Sequence, residues 1–220
     1  MDINIETGIY DKLPDLVLGG FLAEVKVSRS SEELVELIEK HLNELTAKHD
    51  PQSIRDLATI KSLKEAYRKL GKDPNRYRPS AESLLRRIAK GNGLYQINNV
   101  VDILNLISVM TGYSICGYDY DKIFRPISLG IGENEEPYVG IGRGELNIEK
   151  LPVFRDEVGA FGTPTSDSVR TQITYKTKNI LFIFVAFDDN EYLDQFIEKS
   201  VSLINKFAEG KLTEKFIIKR

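Results

Sequence analysis

NNVVDILNLISVMTG, residues Asn98 to Gly112, is apolar around nearly its whole circumference: Val100, Val101, Ile103, Leu104, Leu106, Ile107, Val109 and Met110. A helix of that composition is one buried on all sides. Asn98, Asp102, Asn105 and Ser108 step through it at intervals of four, three and three, which predicts that all four share one face. A carboxylate and two amides in a core cost several kcal/mol each unless hydrogen-bonded. The stripe must therefore meet either backbone groups or a pocket that takes a polar ligand.

Upstream of this helix lie three more helical patterns. Ser30 and Glu33 have the spacing of a capping box, and Leu34, Leu37, Ile38, Leu42 and Leu45 follow as one stripe, with His41 on its border. A second helix is expected from Ser53 to Leu70, stopped by Gly71, and a third from Ser80 as N-cap to Gly91. Before them, residues 1–28 alternate loosely, which predicts one or two strands interrupted at Pro14 and Gly19-Gly20. Downstream, strands are expected at Tyr113–Tyr118, Ile127–Ile131, Tyr138–Ile141, Thr171–Tyr175 and Ile180–Phe187. The last is apolar on both faces and should be central. Asp188 or Asp189 should cap a final helix, Tyr192 to Ala208, and Leu212–Ile218 fits an edge strand. Helices, then strands, then a helix argue an α+β class with a mixed or antiparallel β core, a buried helix and flanking helices. The chain is expected to be one domain over 1–220. Residues 1–70 should pack as a strand and helix extension on a 71–210 core, because their two helices each have one apolar face to bury.

The 220 residues carry a net charge of −3 and are 41% hydrophobic, so the molecule is no general polyanion binder, and no DNA partner is expected. Charge is unevenly placed. Residues 1–50 hold five Lys/Arg against eleven Asp/Glu, whereas residues 71–90 hold six against two. A basic patch of that kind steers a phosphate ligand or forms a solvated face. Cys116 is the sole cysteine, so neither an intramolecular disulfide nor a zinc cluster is expected. No metal-ligand spacing, Walker loop or dinucleotide fingerprint is present, GIGRGE lacking the required glycine spacing, and no cofactor is expected. Without a signal peptide or an apolar run approaching eighteen residues, the chain reads as cytoplasmic, with no membrane partner.

Two further places carry chemistry. Cys116 in ICGYD precedes Asp119, and reads as a small buried cysteine or as a nucleophile needing a distant partner. Gly162 to Thr171 collects hydroxyls, turn formers and Arg170. Such a loop either offers N–H and hydroxyl donors to carbonyl or phosphate oxygens or satisfies itself.

GKDPNRYRPSAESLLRRI, NNVVDILNLISVMTGYSICGYDYDKI, the Thr-Pro-Thr-Ser loop and TKNILFIFVAF resemble the B3/B4 domain of the phenylalanyl-tRNA synthetase β subunit, in particular its free-standing relatives. The likeness spans Gly71–Phe187 and is most specific in DILN and GYD. In the synthetase this α+β domain holds a pocket that hydrolyses tyrosine mischarged onto tRNA-Phe. The family's pocket asparagine falls on Asn105, and the aspartate of its M-H-A-F-D motif on Asp119. Its histidine falls on Cys116, and its tyrosine-recognising glutamate on Ile183 or Phe184, so both are absent. Nothing resembles the class II aminoacylation motifs, so the chain is no synthetase.

The resemblance implies a free-standing editing hydrolase acting on the aminoacylated 3′ end of a tRNA. The alternative is a non-catalytic module binding RNA or an amino-acid-like small molecule. Asn105, Cys116 and Asp102 are the candidates for chemistry. The expected pocket adds Asn98, Asp119, Thr163, Thr165, Ser166, Ser168 and Arg170. Arg78, Arg86, Arg87 and Lys90 would meet phosphates, with Tyr77 or Tyr118 stacking on the terminal adenine.

Overall fold

The structure, a computed structural model, describes residues 1–48, 53–187 and 191–219. Its strands are β1 (Ile3–Ile5), β2 (Val17–Glu24), β3 (Ile115–Asp119), β4 (Ile127–Ile131), β5 (Val139–Gly140), β6 (Gly144–Glu145), β7 (Pro152–Asp156), β8 (Gly159–Gly162), β9 (Asn179–Ala186) and β10 (Lys211–Ile218). Its helices are α1 (Thr7–Tyr10), α2 (Glu32–Lys48), α3 (Ala58–Leu70), α4 (Ser80–Ala89), α5 (Asn99–Thr111) and α6 (Leu193–Phe207).

The apolar run of β9 explains the architecture. It lies between β2 and β3 in a sheet ordered β10-β2-β9-β3, antiparallel throughout. Phe182 and Phe184 turn to α5 and α6, while Leu181, Ile183 and Val185 turn to a second sheet, β1-β4-β7-β8. In that second sheet β1 runs parallel to β4 and the other pairs are antiparallel. The result is an α+β molecule of three layers: helices, sheet, sheet. Burial on both sides is why β9 shows no alternation.

Helix α5 is held at both ends. Asn98 caps it, its Oδ1 accepting from the Val101 N–H at 2.9 Å. Gly112 ends it in the left-handed region (φ 75°), pressed so close to Thr59 that a Cβ would stand 2.2 Å from its Oγ1. The neighbouring Asn99 stitches three segments together. Its amide donates to the carbonyls of Lys26 and Phe207, and its oxygen accepts from the Ser28 N–H.

Several local expectations change. Gly19-Gly20 does not interrupt a strand but sits inside β2. A Cβ on Gly20 would lie 2.1 Å from the Phe182 carbonyl oxygen and one on Gly19 2.8 Å from Ile197 Cδ1, so these glycines let β9 and α6 close on β2. Residues Ser53–Asp56 form a 3-10 turn separate from α3. Ser31, not Ser30, receives the Leu34 N–H at the start of α2, and Pro79 precedes α4 where Ser80 was expected as the cap. No strand forms at Thr171–Tyr175. There Val169–Thr171 is a 3-10 turn and the Thr177 hydroxyl takes the Thr174 N–H, local bonds that displace pairing. The hairpin β7–β8 was hidden by its short strands. Asp188 and Asp189, expected to cap α6, lie outside the described residues.

Strand β2 pairs with both β9 and β10, and α2 packs against α4 and α5. We propose that residues 1–70 and 71–210 fold as one cooperative unit. A chain beginning at Gly71 is expected to show no cooperative melting by circular dichroism, since it leaves β9 and β10 without their shared partner. A stable proteolytic fragment starting near Gly71 would contradict this.

Candidate functional site

Strand β3 is an edge of its sheet, and its outward backbone groups need partners. One is met by a side chain from the Gly162–Thr171 loop: Asp167 Oδ2 accepts the Gly117 N–H at 3.0 Å. Beyond that edge, α4, α5, the loop and the Ile141–Arg143 turn enclose a cleft of about 910 Å³. Helix α4 is docked on the loop through the Ser80 N–H, which donates to the Pro164 carbonyl at 2.9 Å.

Alternation along β3 places Ile115 and Gly117 in the cleft and turns Cys116 and Tyr118 to the opposite face. Gly117 allows α5 to approach closely, since a Cβ there would lie 2.2 Å from Leu104 Cδ1. Leu104, Ile115 and Ile173 form an aliphatic surface in the cleft.

The polar stripe of α5 divides. Asn105 and Ser108 line the cleft. Ser108 gives its hydroxyl to the Tyr113 carbonyl at 2.7 Å, whereas the Asn105 carboxamide has no hydrogen-bond partner among the described residues. Asn98 is outside, spent on the helix cap. Asp102 is outside too, accepting from Ser30 Oγ at 2.5 Å and from the Ile97 N–H at 2.8 Å. Burial pushes the Asp102 carboxyl pKa up, against those two bonds. At 3.6 residues per turn the stripe drifts around the helix, so its first half meets the N-terminal segments and only its second half the cleft.

Charge in the cleft opposes charge on the chain. Arg78, Arg86, Arg87, Lys90 and Arg143 line it, and Asp167 is its one carboxylate among the described residues. Glu82, buried on α4, orients part of this wall. It takes Arg86 Nε at 2.8 Å and lies 3.7 Å from Arg78 and 3.4 Å from Lys64.

Asp167 is the functional candidate missed by sequence reasoning, which saw only a hydroxyl-rich loop around it. Burial pushes its carboxyl up to about 7, opposed by the Gly117 N–H, the Tyr118 hydroxyl and the Cys116 thiol. Its Oδ1 is sealed from solvent and accepts no hydrogen bond of ordinary geometry. A lone acid in a loop of Ser and Thr was the available signal. A carboxyl poised near neutrality in a cleft marks a candidate proton acceptor.

The remaining expected residues scatter. Thr163, Thr165 and Ser166 line the cleft, but Thr163 Oγ1 already accepts the N–H groups of Thr165 and Ser166, and Thr165 Oγ1 pairs with the Tyr67 hydroxyl. Those donors stabilise the loop and are not offered to a ligand. Ser168 caps a 3-10 turn, and Arg170 forks onto Asp156 at 2.8 and 3.0 Å, both outside the cleft. Asp119 is buried against Thr177. Cys116 is fully enclosed, and burial raises its thiol well above the ordinary value, which removes the thiolate. Tyr77 lies outside beneath the Lys72 ammonium, and Tyr118 is buried between the sheets. Ile183 and Phe184 are core residues of β9. His41 bonds the Leu37 carbonyl on α2, and His49 lies outside the described residues. Among the described residues no cluster of His, Cys, Asp and Glu has the makings of a metal site, and no helix is long and apolar enough to cross a membrane.

Comparison with known proteins adds three findings. The model of the B3/4 domain family matches residues 62–201. The phenylalanine–tRNA ligase beta subunit of Malacoplasma penetrans is 27% identical over 100 residues, which are 44% of this chain and 13% of that protein. The chain therefore corresponds to a small part of that relative. An N-terminal fragment of the phenylalanyl-tRNA synthetase beta-subunit from Pyrococcus horikoshii overlays 99% of this chain and 54% of the fragment, at 13% identity and a TM-score of 0.48.

Proposed function

Because the chain belongs to the B3/4 domain family, we propose that its cleft receives the aminoacylated 3′ end of a tRNA and hydrolyses the ester between amino acid and ribose. The observation that carries this reading is the charge arrangement: among the described residues, five cations and a single carboxylate line the cleft of a chain whose net charge is −3. Cations on α4 meet the phosphodiesters. The aliphatic surface of Leu104, Ile115 and Ile173 takes the amino-acid side chain, and the free Asn105 carboxamide bonds the aminoacyl group. Water attacks the ester carbonyl, and its proton passes to the Asp167 carboxylate. The tetrahedral intermediate then expels the ribose oxygen, which takes up a proton, leaving free amino acid and tRNA. Cys116 takes no part. With Ile183 and Phe184 where the family has its glutamate, the carboxylate that would receive a phenol in the family is missing. A site built around such a contact gains about 10⁴–10⁵ in selectivity, so tyrosine is not the favoured residue here. Aminoacylated tRNA as substrate implies a cytoplasmic setting.

Among the described residues, no histidine lines the cleft. That favours one second reading, a module that binds an RNA end or an amino-acid-like molecule and leaves it intact. Purified protein is to be mixed with a panel of aminoacylated tRNAs, with amino-acid release and filter binding followed at two salt concentrations. Release from one or a few species above the buffer rate is expected. Binding should weaken with salt at a log–log slope of about −2 to −3, as for three or four phosphate contacts. Binding without release would establish the second reading, and neither signal would remove both.

A further inference from the structure

The terminal base of a single strand has no neighbour to stack on beyond it, so a protein that holds an RNA end gains most from a flat side chain presented beside cations. Tyr95, in the linker between α4 and α5, is the one aromatic residue lining the cleft among the described residues, and it is 54% exposed. Its ring is backed on one side. The Arg87 guanidinium stands 3.9 Å from the ring centroid, donates from Nη1 to the Tyr95 hydroxyl at 3.2 Å and from Nη2 to the Asn92 carbonyl at 3.1 Å. The linker is pinned just beyond. The Ile97 N–H donates to Asp102, and the Ile97 carbonyl accepts from the Tyr175 hydroxyl at 3.0 Å. The ring is thus ordered before any ligand arrives, which lowers the entropy lost on binding.

We infer that Tyr95, backed by Arg87, is the stacking platform for the terminal nucleobase of a single-stranded RNA end. This rests on the reading of the cleft as an RNA-end site, and it extends that reading to a residue that lies outside the expected set. Tyr77 and Tyr118 cannot serve, the first standing outside the cleft under Lys72 and the second enclosed between the sheets. Arg87 then has two roles: it holds the ring, and its charge strengthens the ring's attraction for an anionic strand.

The chain contains no tryptophan, so Tyr95→Trp introduces a single indole emitter at the platform. The probe is a short single-stranded RNA ending in CCA, labelled at its 5′ end, beside the same RNA with an abasic 3′ residue. Anisotropy of the label reports binding independently of the indole. The CCA RNA is expected to quench the indole, while the abasic RNA binds more weakly and quenches little. Tyr95→Ala should lose about tenfold to hundredfold in affinity, and Tyr95→Phe, which keeps the ring, should stay within a few-fold of wild type. If the RNA binds but the indole is unchanged and Tyr95→Ala binds normally, the platform is elsewhere and the cleft reading survives. If wild type binds neither RNA, both inferences fall together.

Discussion

Asp167→Asn is expected to stabilise the protein at pH 8, and the gain should shrink steadily as pH falls from 7 to 4. The unfolded carboxyl titrates near 3.9, whereas burial pushes the folded one up to about 7. Across that window the folded chain keeps a proton that the unfolded chain has lost, so stability falls as pH rises through it and stays low above 7. Three pKa units correspond to about 4 kcal/mol, and relaxation around a part-buried side chain leaves a gain on the order of 2 kcal/mol. Asparagine keeps the acceptor for the Gly117 N–H while removing the buried charge. Urea denaturation of both proteins at pH 4, 6 and 8 measures the difference. The same variant should lose ester hydrolysis, stability being given up for a proton acceptor in the cleft. A variant less stable than wild type at pH 8 would show that the ionised carboxylate is a structural support instead.

The second large effect separates two residues three positions apart on α5. Asp102→Ala is expected to cost about 2–3 kcal/mol, because Ser30 Oγ and the Ile97 N–H lose their shared acceptor. Asn105→Ala should cost under about 0.5 kcal/mol, a change within the usual range for a side chain with nothing to lose. In ligand affinity the order reverses: Asn105→Ala should weaken an aminoacylated RNA end by about tenfold, the worth of one buried hydrogen bond. Thermal melts and titrations on the same preparations decide both parts. Equal destabilisation by the two substitutions would mean that Asn105 is structural.

Much of the framework was legible because its causes are local. The all-round apolar α5, the double-faced run of β9 and the terminal glycines Gly71 and Gly112 each announce themselves in a few consecutive residues. The net positive charge of residues 71–90 likewise foretold the basic wall of α4. What was not legible depends on partners far along the chain. Ser30 has the spacing of a cap, yet its hydroxyl goes to Asp102, 72 positions away. Gly19 and Gly20 resemble a turn until Phe182 and Ile197 are brought against them. Cys116 follows a residue of the cleft wall, and only the parity of β3 turns it away. The elevated pKa of Asp167 arises from burial that no loop composition reveals, and its acceptor role toward the Gly117 N–H, 50 positions upstream, is equally invisible in the loop. Arg143 joins the cations of α4 only through the fold.

The most direct test of the cleft as an ester-hydrolysing site is the time course of amino-acid release from aminoacylated tRNA by wild type and by Asn105→Ala, each verified as folded by its melting curve. The expected result is release by wild type above the buffer rate on at least one tRNA species, reduced about tenfold or more in the variant at unchanged melting temperature. Equal release by the two proteins, or none by wild type across the panel, would contradict that assignment.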